Sequence, residues 1–202
     1  MKVSQGWSEA PDADRANTIR YSEAALRLDP SDPEATATAA QCLAFSGRRW
    51  PDALALADRA VTLNPNSAYC WDRSGWVRTY VGHSEMAVEH FERAARLSPL
   101  DPTAYHRLSG EAIALLQLRR FDQAVAAASE ALRLNPAYTT PFRPLAAALA
   151  HMGRLDEAQA VAHRLLQVEP RFTISAWSNR TGITEEAKAE LVEGMRRAGL
   201  SE

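Results

Sequence analysis

Long apolar runs are missing from this chain of 202 residues. A membrane-spanning helix needs about 20 consecutive apolar residues, so no segment is expected to cross a bilayer. The opening Met1-Lys2-Val3-Ser4-Gln5-Gly6-Trp7 lacks the apolar core of a secretory leader. Cysteine is scarce: Cys42 and Cys70 have neither CxxC spacing nor clustered histidines, and both fall in helical pattern. They read as free thiols in a reducing compartment, and the expected location is the cytoplasm. An excess of one charge sign is also missing. The formal net charge is -2 with both signs interspersed, whereas a nucleic-acid footprint needs a basic stripe.

Catalytic signatures are absent as well. There is no HExxH, GxSxG, Walker loop or GxGxxG, and His83, His90, His106, His151 and His163 show no metal-ligand spacing. His90 and His163 read as surface or edge residues. Acidic residues are scattered, so pairing any two as acid and base is arbitrary. No enzyme, cofactor or metal is expected.

What the chain does have is a period. Leu28-Asp29-Pro30, Leu63-Asn64-Pro65, Leu97-Ser98-Pro99, Leu134-Asn135-Pro136 and, more loosely, Val168-Glu169-Pro170 recur with prolines 35, 34, 37 and 34 residues apart. Such a period, with apolar residues at helical spacing and a closing proline, marks an array of helical hairpins. Proline cannot donate a helical hydrogen bond and clashes with the preceding turn, so it ends each second helix. Small residues recur where two backbones must approach, as at Gly75, Ala87 and Ala94. One hairpin cannot bury both its faces, and stability comes from stacking neighbours.

In the best unit Trp71, Gly75, Ala87, Phe91, Ala94 and Pro99 resemble the tetratricopeptide repeat (TPR) family. Weaker copies are Ala53, Ala60, Pro65; Phe121, Ala124, Ala131, Pro136; and Phe142, Ala146, Gly153, Ala158, Pro170. The resemblance implies an all-α, right-handed TPR superhelix of four full repeats with a leading half repeat and a C-terminal capping helix. The repeats are expected near 31–65, 66–99, 100–136 and 137–170. They lie within an array from 13 to 182, after a polar lead-in over 1–12 and before the final helix over 183–202.

In chain order, the spacing predicts a helix from Asp14 to Leu28 that matches the second helices, so the chain begins in mid-repeat. Asp32-Pro33 opens the next helix, running to about Phe45, and one residue is inserted in the turn at Arg48-Arg49-Trp50. Its partner is expected over 51–63, and the second unit over 67–81 and 84–97. Three extra residues before Ala124 are assigned to a long first helix over 102–118. Pro141 and Pro144 predict a late or irregular first helix in the fourth unit, followed by one over 155–168. Arg171 to Gly182 reads as no regular long helix. Thr184 is a candidate N-cap, with Ala187, Leu191, Met195 and Ala198 as one apolar stripe and Gly199 as the stop. This helix is expected to cover the apolar side of the helix at 155–168, the open end of the stack.

A narrower likeness lies in Ser74-Gly75-Trp76-Val77, in Phe91 to Pro102 with its Leu97-Ser98-Pro99-Leu100-Asp101-Pro102 run, and in the ending Gly194 to Leu200. These are similar to the C-terminal repeats of rhizobial-type class III adenylate cyclases and related winged-helix regulators. No catalytic domain of that kind has a counterpart here, so no catalytic residue is carried over. The alternative this implies is a regulatory region whose catalytic or DNA-binding domain is absent.

The TPR resemblance also implies a concave groove lined by first helices. Mapped onto this sequence it offers Gln41 and Phe45; Tyr69, Asp72, Arg73, Trp76, Thr79 and Tyr80; His106, Ser109 and Gln117; and Arg143 and His151. The binding residues expected are Gln41, Phe45, Asp72, Arg73, Trp76, Tyr80, His106 and Arg143, since aromatics beside arginine are enriched in binding hot spots. The alternative for Trp76 and Tyr80 is packing against the next unit. Chaperone-tail clamps need Lys and Asn where this chain has Ala37, Thr38 and Gln41, so that ligand is not expected. The expected partner is a peptide or protein, without nucleic acid or membrane. The chain is expected to be a monomer, with weak self-association through the N-terminal half repeat as the alternative.

Overall fold

The computed structural model describes residues 10–202. Most of the expected lead-in, residues 1–9, lies outside the described residues, and 11 and 12 already belong to the first helix. Eleven α-helices are described: α1 Pro11–Leu28, α2 Pro33–Cys42, α3 Trp50–Leu63, α4 Ala68–Val81, α5 Ser84–Leu97, α6 Ala104–Gln117, α7 Phe121–Leu134, α8 Phe142–His151, α9 Leu155–Val168, α10 Ile174–Arg180 and α11 Ala189–Arg197. The hairpins are α2/α3, α4/α5, α6/α7 and α8/α9, and each second helix packs on the next first helix. The first helices α2, α4, α6 and α8 neighbour one another and form one face of the array, while α1 packs on α2 as the leading half repeat.

Local chemistry sets the helix ends. Asp32 caps α2 by accepting from the N–H groups of Glu34 at 2.8 Å and Ala35 at 3.1 Å, and Ser67 accepts from Cys70 at 3.2 Å. Gly82 ends α4 at φ 83°, a left-handed conformation that suits glycine. Inside the second unit the hairpin closes on small residues. A Cβ on Gly75 would stand 2.7 Å from Phe91, and one on Gly110 would stand 2.6 Å from Phe91 and 2.8 Å from Trp76. Phe91, Ala87 and Ala94 are buried there.

Three expectations need correction. The residue inserted after α2 does not simply enlarge a turn: the helix continues as a π-helical turn over Leu43–Gly47, and the Arg48 N–H returns to the Leu43 carbonyl. A π turn accommodates one extra residue without breaking the helix. The three extra residues of the third unit do not lengthen α6, which has 14 residues like α4. Two fall in the loop before α6 and one in the α6–α7 turn, where Arg119 takes φ 59°. The last helix starts at Ala189 rather than near Thr184, because the Thr184 N–H donates to the Tyr80 carbonyl at 2.8 Å and residues 185–188 form turns.

The route of the C-terminal segment is the main tertiary feature. After α9 the chain returns to the start of the array, where Arg15 donates to the Arg180 carbonyl at 2.5 Å and Trp50 to that of Gly182 at 2.9 Å. It then passes the repeats in order. Thr184 meets Tyr80, the Ala187 carbonyl accepts from Gln117 at 3.0 Å, and Glu190 meets Arg119 and His151. The apolar stripe of α11 is buried chiefly on α8, with a second contact on α6. A helix does follow the last repeat and covers apolar surface, but that surface is the face of the first helices, not the α9 side. Finally the Ile174 N–H donates to the Ser201 carbonyl at 2.8 Å.

Candidate functional site

Between the face of the first helices and the returning segment lies a cavity of about 280 Å³. Its walls come from every part of the molecule: Thr18 of α1; Gln41 and Cys42 of α2; Phe45 and Ser46 of the π turn; Tyr69, Arg73, Trp76 and Tyr80 of α4; His106 and Ile113 of α6; Tyr138, Thr140 and Arg143 at α8; and Trp177, Thr181, Ile183 and Leu191 of the returning segment. The π turn has a direct consequence here, since it swings Phe45 towards Tyr80, with ring centroids 5.9 Å apart.

Seven of the eight binding residues expected from the sequence line this cavity. Asp72 does not; it stands behind the wall, 3.5 Å from the Arg73 guanidinium and 3.3 Å from His106 Nδ1. Trp76 and Tyr80 are only 4% and 6% exposed, so they form the floor of the cavity and are not open anchors. Trp76 packs edge-on against Phe91 and at 5.6 Å from the Tyr80 ring. Thr79 and Ser109 are buried and bond backbone carbonyls of their own helices. Gln117 and His151, expected to look into an open groove, instead bond the returning segment. The sequence could not place that segment, because its contacts are long-range and follow no repeat.

Arg73 is the central cation. It donates to Gln41 Oε1 at 2.9 Å and lies 4.4 Å from the Tyr69 ring centroid, a cation–π distance. Burial opposes its charge, but Asp72 and Tyr69 more than offset this and raise its pKa above the ordinary guanidinium value. Burial likewise works against the Asp72 carboxylate, yet His106, Arg73 and Arg107 hold its pKa below the usual range. His106 Nδ1 lies 3.0 Å from Trp76 Nε1 and 3.3 Å from Asp72. An indole N–H only donates. A bare Nδ1 therefore takes the Trp76 bond, an Nδ1–H takes the Asp72 bond, and the two exclude one another.

Arg143 also lines the cavity, 2% exposed. It donates to Glu169 at 2.7 Å and lies over the Phe172 ring, and Arg180 bonds the same carboxylate. Burial lowers the Arg143 pKa to about 10, with Glu169 acting against that shift. Tyr80 and Tyr138 are both pushed upward by burial and stay neutral phenols. Tyr138, Thr140, Trp177, Thr181 and Ile183 were missed by sequence reasoning. Tyr138 and Thr140 stand at the start of the fourth repeat before its first helix, and the other three in a stretch that fits no repeat, where Trp177 and Ile183 gave only an aromatic or apolar signal.

Away from the cavity, His90 is not a simple surface residue. It is half-buried against the edge of Trp71 at 4.7 Å, and burial, helped by Arg78, lowers its pKa to about 4. His163 is exposed. Cys42 and Cys70 are free thiols. Among the described residues no group of three or more His, Cys, Asp or Glu is arranged to hold a metal ion. No described helix is long and apolar enough to cross a membrane.

Comparison with known proteins supports the repeat reading. Residues 19–68 match the tetratricopeptide repeat family. No curated protein matches the chain. Among solved structures, PilW, a type IV pilus biogenesis factor, is 19% identical and covers 88% of this chain and 83% of its own, with a TM-score of 0.70. YrrB, described as a TPR protein with an unusual peptide-binding site, is 22% identical over 88% of this chain and 90% of its own, at a TM-score of 0.57. MamA from Desulfovibrio magneticus RS-1 is 20% identical over 77% and 86%, at 0.60. The fold is thus that of the TPR solenoids.

Proposed function

We propose that this chain is a non-catalytic protein-interaction module of the bacterial cytoplasm that takes a peptide or protein partner on the inner face of its array. The observation that carries this reading is the cavity where Tyr69, Arg73, Trp76, His106, Tyr138 and Arg143 converge from three repeats. A concave site lined by aromatic and apolar side chains with placed polar groups is the usual form of a binding pocket. The peptide-binding site described for YrrB, on the same fold, favours the same class of ligand. Because the returning segment covers the rest of the face, the partner inserts a side chain or a chain end, not a length of strand.

The test is a peptide array probed with the folded protein and its variants. Tyr69→Ala and Arg73→Ala, on the wall of the cavity, are expected to weaken capture by about 2 kcal/mol or more. Glu89→Ala and Arg133→Ala, on the second helices α5 and α7, are expected to leave it unchanged. Circular dichroism checks each variant for folding. Normal capture by the wall variants with loss in the α5 and α7 variants would move the binding surface to the convex side.

A second reading has one observation in its favour. The ending from Gly194 to Leu200, part of the wording shared with the repeats of class III adenylate cyclases, includes the residues that seat the returning segment on α8. Under that reading the module regulates a catalytic or DNA-binding domain. An in-frame cyclase or winged-helix domain upstream of Met1 selects it, and an unrelated upstream sequence removes it.

A further inference from the structure

The cavity wall has one charge sign. Arg73 and Arg143 line it, and no Asp or Glu does. The carboxylates stand behind the wall: Asp72 beside Arg73, and Glu169 shared by Arg143 and Arg180. Three guanidiniums against two carboxylates leave one positive charge in excess, with Arg143 buried and Arg73 and Arg180 partly exposed. The returning segment brings two more cations to the same side, because Arg15 and Arg48 donate to the carbonyls of Arg180 and Asn179 at 2.5 and 2.7 Å. Asp12 offsets part of this at Arg15.

Buried charge is costly unless paired, and buried donors are normally bonded. Here the Nε–H groups of Arg73 and Arg143 on the wall, and of Arg180 behind it, are buried without an acceptor among the described residues, and the Asp72 Oδ1 beside Arg73 is buried without a donor. The remaining wall mixes apolar and aromatic groups, among them Phe45, Trp76, Ile113, Tyr138 and Trp177, with the polar side chains of Gln41, Ser46, Thr140 and Thr181. Its size bounds the guest. A cavity of about 150 Å³ holds benzene, so about 280 Å³ accommodates a guest of roughly ten non-hydrogen atoms.

We infer that the cavity binds an anion, a carboxylate carried on an aromatic or compact apolar body, held between Arg73 and Arg143. The inference rests on the inner face being a binding surface and specifies the chemistry of the group inserted there. The same group arrives as a free aryl-acid or as the end of a peptide, and both are tested.

Calorimetric titration of the whole chain with phenylacetate, phenylacetamide and 2-phenylethylamine compares one body carrying an anion, a neutral amide and a cation. Phenylacetate is expected to bind at least about tenfold more tightly than either, the scale of a charge-assisted hydrogen bond. Arg143→Met leaves Glu169 paired with Arg180 and is expected to erase that preference. Arg180→Gln, whose side chain is not in the wall, removes the same unbalanced charge and is expected to weaken phenylacetate alone. It also keeps the test decisive if Arg143→Met does not fold. Tighter binding of Ala-Ala-Ala-Phe than of phenylacetate assigns the anion to a chain end, and the reverse assigns it to a free acid. Equal binding of the three probes overturns the anion but leaves the inner face as a binding surface. Binding of none overturns it too, and the peptide array then decides the inner face separately.

Discussion

Trp76 shows how one side chain in this molecule carries two tasks. Its ring packs on Phe91 and closes over Gly110, where a Cβ would stand 2.8 Å away, while its Nε1–H reaches His106 at the cavity. Trp76→Ala is therefore expected to destabilise the fold by about 3–5 kcal/mol, not merely to weaken binding, and a thermal melt checks it. An unchanged midpoint would mean the ring is not part of the core. His90 gives a pH signature at the same scale. Its folded pKa is lowered from 6.5 to about 4, so the unfolded chain binds a proton first. Stability from this group is full above about pH 6.5 and is lost as pH falls towards 4. Urea titrations across that window should show a slope that His90→Gln removes. The same slope in the variant would assign the pH dependence to other groups.

At the scale of elements, α11 is held by a close approach that tolerates no side chain. A Cβ on Gly194 would stand 2.5 Å from Ala147 Cβ and 2.7 Å from its Cα, against backbone that cannot turn aside. Gly194→Ala is expected to lift α11 from α8 at a cost of about 1–3 kcal/mol. Lys188, now buried and bonded to Glu185 and the Ser178 carbonyl, would then be cut by trypsin. Unchanged resistance at Lys188 would show that α11 does not depend on this contact. The π turn over Leu43–Gly47 is the complementary case, an element whose irregularity aims Phe45 at the cavity. Widened turns of this type occur frequently at functional sites.

For the whole molecule, the returning segment changes how the array holds together. A solenoid is quasi-one-dimensional, each repeat touching only its neighbours. Here one segment touches α1 and all four hairpins, and it buries Ile174, Trp177, Ile183, Leu191, Met195 and Leu200. Each contributes about 1.5–3 kcal/mol before the entropy of ordering the segment is counted. Deleting Thr173 to Glu202 is expected to lower the melting midpoint, broaden the transition and cause association through the bared faces of α6 and α8. Calorimetry with sizing chromatography checks this. A truncated chain that melts as sharply and at the same temperature would show that the repeats need no such tie.

The period of the prolines, the helix formers between them and the small residues at Gly75, Ala87 and Ala94 determined the hairpins and their order. These features are local or separated by one repeat, and each acts through steric rules that read directly along the chain. The face holding Gln41, Arg73, Trp76, His106 and Arg143 followed from the same register. Only the tertiary structure decided what that face meets. The path of residues 174–200 depends on contacts between Gly182 and the Phe45 backbone, Thr184 and Tyr80, and Gly194 and Ala147, which leave no period in the sequence. That path turned an open groove into a partly covered pocket, buried Trp76 and Tyr80, and set Arg143 and Arg180 on a single carboxylate. Burial and unbalanced charge are properties of that juxtaposition, not of any stretch of the chain.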